Sequence, residues 1–210
     1  MTNWERTAND DYTLKNLCIP PFELPKDLFK WLKKAVMDAK KENEKYNKKL
    51  IGHIKEEYAI NKWSKEFESF IIQSVFHPYL QSVLKDLVIL SEDRPFFLDS
   101  LWVNFQKRYE FNPLHTHSGL FSFIIFVNIP YDLDKETKYF PTNSELPHTS
   151  RLVFVNNKFD GSIHEHLINV DKSFEGKMFL FRAKQTHMVY PFYTSDKYRI
   201  TVSGNIKLKV

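Results

Sequence analysis

The apolar residues of this chain change period near residue 95, and that change limits the folds it can adopt. Before Pro95 they recur at helical spacing: Leu28, Trp31, Leu32, Ala35 and Val36, then Trp63, Phe67, Phe70, Ile71 and Val75, then Leu80, Val83, Leu84 and Leu87 after His77-Pro78. This predicts two or three amphipathic helices. After Pro95 the pattern becomes short runs rich in Phe, Val, Ile and Tyr, broken by turn residues such as Asn156-Asn157 and Asp160-Gly161. Strands are predicted over 98–106, 121–129, 151–155, 163–170, 177–183, 187–192 and 198–207. Seven short strands at this spacing predict an antiparallel sandwich or barrel, with the helices covering one sheet or its edge, an α+β layout.

Composition supports a packed protein. The 210 residues include 19 Phe, 10 Tyr and 4 Trp but only 5 Gly, enough apolar mass for one substantial core. The net charge of +4 comes largely from lysines between Lys26 and Lys65, which alternate with Glu at helical spacings and read as a solvated face. No arginine cluster interleaves with aromatics, so no nucleic-acid partner is expected. No apolar run approaches the roughly 20 residues a bilayer requires, and the start MTNWERTANDDY lacks a signal peptide's basic and apolar regions. With a single cysteine, Cys18, no internal disulfide can form, and a cytoplasmic protein without a membrane partner is expected.

Four of the eight histidines fall in His-x-His pairs: His115-Thr116-His117 within FNPLHTHSG, and His164-Glu165-His166 within GSIHEHL. Residues two apart on a strand share a face, so either pair could present two imidazoles to one metal ion. The first pair lies at a strand end beside Pro113 and Gly119, where loops approach ligands, and is the stronger metal candidate. The second lies inside a predicted strand and reads better as half-exposed strand histidines.

The late segment GKMFLFRAKQTHMVYPFYTSDKYRITVSGNIKL carries further chemistry. An apolar strand ends, His187 follows, and a second strand returns with Arg199, Thr201 and Ser203 at alternate positions. Period-2 alternation puts those three on one face and Ile200 and Val202 on the other. A buried guanidinium needs an acidic or anionic partner, either a protein carboxylate or a carboxylate ligand gripped by the planar fork.

These segments in this order, a WVNFQ strand, the His-x-His turn, SFIIFVNIP and GKMFLF...H...YRITVSGNI, resemble the Fe(II)/2-oxoglutarate-dependent oxygenases, in particular the prolyl-4-hydroxylase-like branch of phage and bacterial genomes. The resemblance covers residues 98 to 207, with a weaker echo in LIGHIKEEYAI at 50 to 60. It implies a double-stranded β-helix (jelly-roll) barrel with N-terminal flanking helices: one domain over 1–210, helical to 95 and barrel from 96 on. It also implies Fe(II) held by His115 and His187, and 2-oxoglutarate gripped by Arg199, with Thr201 two residues beyond. Asn104 and Gln106, which share a face of the first strand, are the further candidates to touch the cosubstrate. The implied reaction uses O2, releases succinate and carbon dioxide, and hydroxylates a peptidyl (prolyl-like) or small-molecule substrate.

One position departs from the family pattern. The usual triad is two histidines and a carboxylate, and His117 stands where the carboxylate belongs. A three-histidine site is the first reading. A two-histidine site completed by water or halide is the second, and a carboxylate from elsewhere, such as Asp160 or Glu165, is the third. The rival functions are a cupin-like metal barrel that does not use 2-oxoglutarate, weakened because no Glu follows in SGLFSFIIF, and a non-catalytic structural barrel.

Overall fold

Antiparallel pairing organises almost every strand of the computed structural model, which describes residues 21–76, 78, 95–139, 148–157 and 160–209. In chain order these form β1 (Phe22–Glu23), α1 (Lys26–Glu42), β2 (Glu56–Ala59), α2 (Lys65–Ser69), β3 (Phe96–Gln106), β4 (Asn112–His115), β5 (Phe121–Asn128), α3 (Leu133–Tyr139), β6 (Leu152–Asn157), β7 (Ile163–Ile168), β8 (Lys177–Arg182), β9 (His187–Val189) and β10 (Arg199–Leu208). A large sheet runs β1-β8-β5-β10-β3-β2, and a small one runs β4-β9-β6-β7.

Helix α1 forms where the i, i+4 spacing of Leu28, Leu32 and Val36 gives one apolar stripe, and it ends at Asn43, whose left-handed backbone (φ 57°) closes the last turn. Its buried Leu32, Val36 and Ala39 join one cluster with Val103, Ile125, Leu180 and Val202 from the outer face of the large sheet. The inner face packs on the small sheet: Ile124, Phe126, Phe179 and Phe181 meet Leu152, Phe154 and Ile168. The layers are therefore helix, large sheet, small sheet. Alternation along β10 serves both interfaces, with Val202 and Ile206 in the outer cluster and Arg199, Thr201, Ser203 and Asn205 facing the space between the sheets.

The elements differ from the sequence reading in four places. The half read as helical also supplies both edge strands of the large sheet, β1 beside β8 and β2 beside β3. β4 contains Pro113, a poor strand former, and exists because Asn112 and His115 pair with Val189 and His187 of β9. α3 lies between two predicted strands, in a stretch to which the sequence reading assigns no element. The helix expected from Trp63 onward starts only at Lys65, capped by Ser64 Oγ, which accepts from Phe67 N at 3.1 Å, and widens into a π-helical stretch over Phe70–Phe76. The helix expected around Leu80, Val83, Leu84 and Leu87 lies outside the described residues. Among the described residues, no helix is long and apolar enough to cross a membrane.

Gly119 joins the His-x-His turn to β5 at φ +92°, and a Cβ there would lie 2.9 Å from the Ile206 carbonyl oxygen of β10. Both the left-handed backbone and the close approach exclude a side chain. Gly119→Ala is therefore expected to lower stability by about 1–3 kcal/mol, read as a shifted midpoint in urea denaturation with an unchanged slope.

Candidate functional site

A cavity of about 700 Å³ opens between the two sheets, and the candidate site residues read from the sequence line it. On the small sheet, His115 at the end of β4 is the cross-strand partner of His187 on β9. His117 follows in the turn, where its backbone N–H donates to the Ala183 carbonyl at 2.8 Å and its carbonyl accepts from Lys184 Nζ at 3.2 Å. One potential ligand atom from each of the three imidazoles lies within 4.8 Å of the others.

The outer contacts of the rings decide which nitrogens point inward. His115 Nδ1 sits 2.7 Å from the Pro113 carbonyl and His187 Nδ1 sits 2.8 Å from the Gln185 carbonyl. A carbonyl oxygen only accepts, so both Nδ1 atoms carry the proton and both Nε2 atoms present a lone pair. His187 Nε2 faces His117 Nε2 at 3.1 Å, a separation at which two lone pairs need a shared proton or a cation between them. Burial lowers the pKa of all three, that of His117 to about 3, and the neighbouring imidazoles lower those of His117 and His187 further. They are neutral at pH 7, the form that binds metal. Trp102, Phe181 and Phe154 lie against the rings and keep bulk water off two of them, with Phe181 at 4.8 Å from His187 and Trp102 at 5.5 Å from His117. Three neutral imidazole donors on one side of a ring-lined cavity fit a divalent first-row metal.

The large sheet supplies the opposite wall. Directly paired residues share a face, and β10 pairs with β3 as Arg199↔Gln106, Thr201↔Asn104 and Ser203↔Trp102. Arg199 is 2 % exposed, and among the described residues no carboxylate is bonded to it. Its Nε and Nη2 donate to Gln106 Oε1 at 3.0 and 2.8 Å, Nη2 also to the Tyr190 carbonyl at 2.8 Å, and Nη1 to the Ser150 carbonyl at 2.7 Å and the Tyr131 hydroxyl at 3.2 Å. All five N–H donors thus meet neutral oxygens. This corrects the expectation that the donors of a guanidinium buried here require an anionic partner: four neutral groups satisfy them, Gln106 Oε1 taking two, although the charge remains uncompensated. Asn104 Nδ2 donates to Thr201 Oγ1 at 3.2 Å, and among the described residues Asn104 Oδ1 has no partner.

Two carboxylates considered from the sequence do not join the imidazoles. Asp160 accepts from Ser162 in the turn between β6 and β7, and Glu165 lies 4.0 Å from His148 Nδ1. His166 shares a cross-strand row with Phe154 and His187, but β6 intervenes; its ring lies 4.4 Å from that of His164. Tyr46 and Glu57 are among the lining residues that the sequence reading did not single out. Tyr46 stacks on Trp102 at 5.6 Å, and Glu57 faces inward from β2 opposite Asn104.

The model of a family described as "Putative 2OG-Fe(II) oxygenase" matches residues 100–205, slightly more than half of the 210 residues. The chain belongs to this family. The 2OG-Fe(II) oxygenase family implies Fe(II) and 2-oxoglutarate as cofactors, and the imidazole cluster suits the first of them. No curated protein matches this chain. A crystal structure of a Pseudomonas putida prolyl-4-hydroxylase is similar in fold at 13% identity and TM-score 0.51, with 91% of this chain and 92% of that one covered. A Trichoplax adhaerens prolyl hydroxylase, in complex with a hypoxia inducible factor oxygen degradation domain peptide fragment, aligns at 12% identity and TM-score 0.45 over 97% and 90% of the two chains. An oxidoreductase of the 2OG-Fe(II) oxygenase family from Burkholderia pseudomallei aligns at 12% identity and TM-score 0.38, with 53% of this chain and 43% of that one covered.

Glu57 is the ionisable group that this oxygenase cavity perturbs in a way stability can report. Burial first, and the charge of Glu110 second, push its carboxyl from 4.5 up to about 8, against the hydrogen bond from Asn47, which lowers it. An unfolded chain loses this proton near pH 4.5 and the folded chain near pH 8, so Glu57 costs stability increasingly across that window and fully above it. Glu57→Gln removes the cost while keeping the shape. The variant is expected to melt higher than the parent at pH 9, by on the order of 5 °C. The difference should vanish at pH 4, as differential scanning calorimetry across pH would show.

Proposed function

We propose that this protein is an Fe(II)- and 2-oxoglutarate-dependent dioxygenase in which His115, His117 and His187 hold the iron. Arg199, with Thr201, Asn104 and Gln106 around it, receives the cosubstrate. One observation carries the reading: three neutral imidazoles converge on a cavity whose other wall buries a guanidinium with no carboxylate bonded to it among the described residues. The reading extends to hydroxylation of a peptidyl (prolyl-like) or small-molecule substrate with release of succinate and carbon dioxide. It also takes the two sheets as a double-stranded β-helix within a single domain over 1–210, flanked by the helices before residue 96. The single Cys18 supports a reducing, cytoplasmic setting.

The chain's own residues then do three things. The Pro113 and Gln185 carbonyls fix the ring orientation of His115 and His187, so that their Nε2 lone pairs are set before a metal arrives. Arg199 sets a positive charge on the cavity wall, where a dicarboxylate is favoured over a neutral molecule. Gln106 Oε1 spans the Nε–Nη2 edge of that guanidinium, so a carboxylate that takes this edge displaces Gln106. Bound Fe(II) with 2-oxoglutarate and O2 supplies oxidising power for C–H hydroxylation, and the aromatic wall of Trp102 and Phe181 limits the water that reaches it.

Replacing His115 or His187 by Ala should weaken Fe(II) binding by more than the roughly ten- to a hundredfold that loss of an outer-shell partner costs. His117→Ala is the decisive variant for the three-histidine site. Unchanged iron affinity there would reduce the site to two histidines, whereas His117→Asp should retain iron binding and 2-oxoglutarate decarboxylation.

Arg199→Ala in the Fe(II)-loaded protein should weaken 2-oxoglutarate by about ten- to a hundredfold. Arg199→Lys should recover part of that, because the ammonium keeps the charge without the fork. Both variants also lose hydrogen bonds to Ser150 and Tyr190, so calorimetric titration is made on protein that circular dichroism shows to be folded. Equal affinities in all three proteins would make Arg199 a structural residue and remove the main support for 2-oxoglutarate at this wall.

A further inference from the structure

Two buried oxygens on the cavity wall lack what would complete them, and neither imidazoles nor guanidinium supply it. Glu57 is 1 % exposed and turns into the cavity because its cross-strand partner is Asn104. Among the described residues, one hydrogen bond reaches its carboxyl, from Asn47 Nδ2 to Oε2 at 2.9 Å, and no lysine or arginine pairs with it. Asn104 is 4 % exposed, one N–H of its amide donates to Thr201, and among the described residues no donor reaches its Oδ1. A third oxygen borders the same space: a Cβ on Gly52 would overlap Asn112 Oδ1 and lie 3.0 Å from Glu57 Oε1. The wall here is a row of acceptors.

The oxygens of 2-oxoglutarate are themselves acceptors and can take the second N–H of Asn104 but cannot satisfy its Oδ1 or Asn112 Oδ1. A protonated Glu57 brings one O–H, which serves a single acceptor. A neutral hydrocarbon would leave it unmet, at the cost that unpaired buried polar groups carry. A protonated amine or a guanidinium brings several N–H donors and the charge opposite to a carboxylate. We propose that Glu57 and Asn104 form the substrate subsite of this cavity and that it receives a basic group, such as a lysyl or arginyl side chain.

The assignment rests on the oxygenase reading for the word substrate, while the binding chemistry stands on the wall itself. Around Glu57, Glu110 adds negative potential. Lys48 and Lys49 line the mouth as exposed side chains, where salt screens their charge over about 10 Å. Without a cation beside it, burial holds the Glu57 carboxyl protonated to about pH 8. A bound cation reverses that balance, so binding at pH 7 releases a proton. The cavity is then bipolar, with Arg199 toward an anion and Glu57 toward a cation.

The test compares N-acetyl-lysinamide, N-acetyl-argininamide and N-acetyl-norleucinamide, the last an isostere of the lysine side chain without its nitrogen, by calorimetric titration of the full chain. Titration in two buffers of different ionisation heat at pH 7 reads proton release. The basic probes are expected to bind about ten- to a hundredfold more tightly than the norleucine probe, with a proton released. Glu57→Gln should abolish that preference and the proton release, bringing the basic probes to the affinity of the norleucine probe. A preference near one in the wild type overturns the proposal without any variant, as does a preference that survives in folded Glu57→Gln. 2-Oxoglutarate titrations of the Fe(II)-loaded protein report on the oxygenase reading separately. Cosubstrate binding without a basic preference sinks the subsite alone, and a basic preference without cosubstrate binding supports the cation subsite while sinking the oxygenase reading.

Discussion

The register of β10 is the constraint on which the site depends. This strand lies between β3 and β5 in the large sheet, and both ladders must agree on which of its residues face inward. A slip of one residue would turn Arg199, Thr201 and Ser203 into the apolar layer against α1 and push Val202 and Ile206 into the cavity. Both errors are costly, since one buries a charge without its acceptors and the other strips apolar area from a core. The irregularity at Asn205/Ile206 and the approach of Gly119 to the Ile206 carbonyl oppose such a slip at the end of the strand.

Once the register holds, the electrostatics of the cavity follow from burial. Burial holds the three imidazoles neutral, and neutrality leaves their lone pairs available. Arg199 meets neutral oxygens with all five of its N–H donors, and burial holds the proton on Glu57, with which no lysine or arginine pairs among the described residues. Each of these groups is stabilised as a single residue yet leaves its charge or lone pair directed at the cavity. A folded protein tolerates such an arrangement where ligands complete it.

Much of the imidazole cluster was legible because its signals are local. His115 and His117 stand two apart beside Pro113 and Gly119, and His187 ends an apolar run before a strand whose polar residues alternate. The acceptors around Arg199 were not legible. Tyr131, Ser150 and Tyr190 come from three separate segments, and two of them contribute backbone carbonyls, which every residue has. Glu57 was hidden for a different reason. It stands beside Glu56, and nothing in Glu-Glu tells which carboxyl turns in; Glu56 turns out, to Lys40 and Tyr198, because β3 sets the register of β2. The pair His164 and His166 carried the same local signal as His115 and His117, yet lies two strands away across Phe154.

What the sequence by itself determined is the set of properties that act over a few residues: helical spacing in Leu28 to Val36, alternation along 199–205, and the turn chemistry around His115. These follow from the 3.6 and 2.0 periods of backbone geometry and need no partner. Tertiary structure alone decided which strands became neighbours, and so which histidines met, which oxygens surround Arg199 and which glutamate enters the cavity. Cross-strand partners such as Asn104 and Thr201 lie 97 residues apart, and their meeting is set by the register and packing of whole sheets, which no local period encodes.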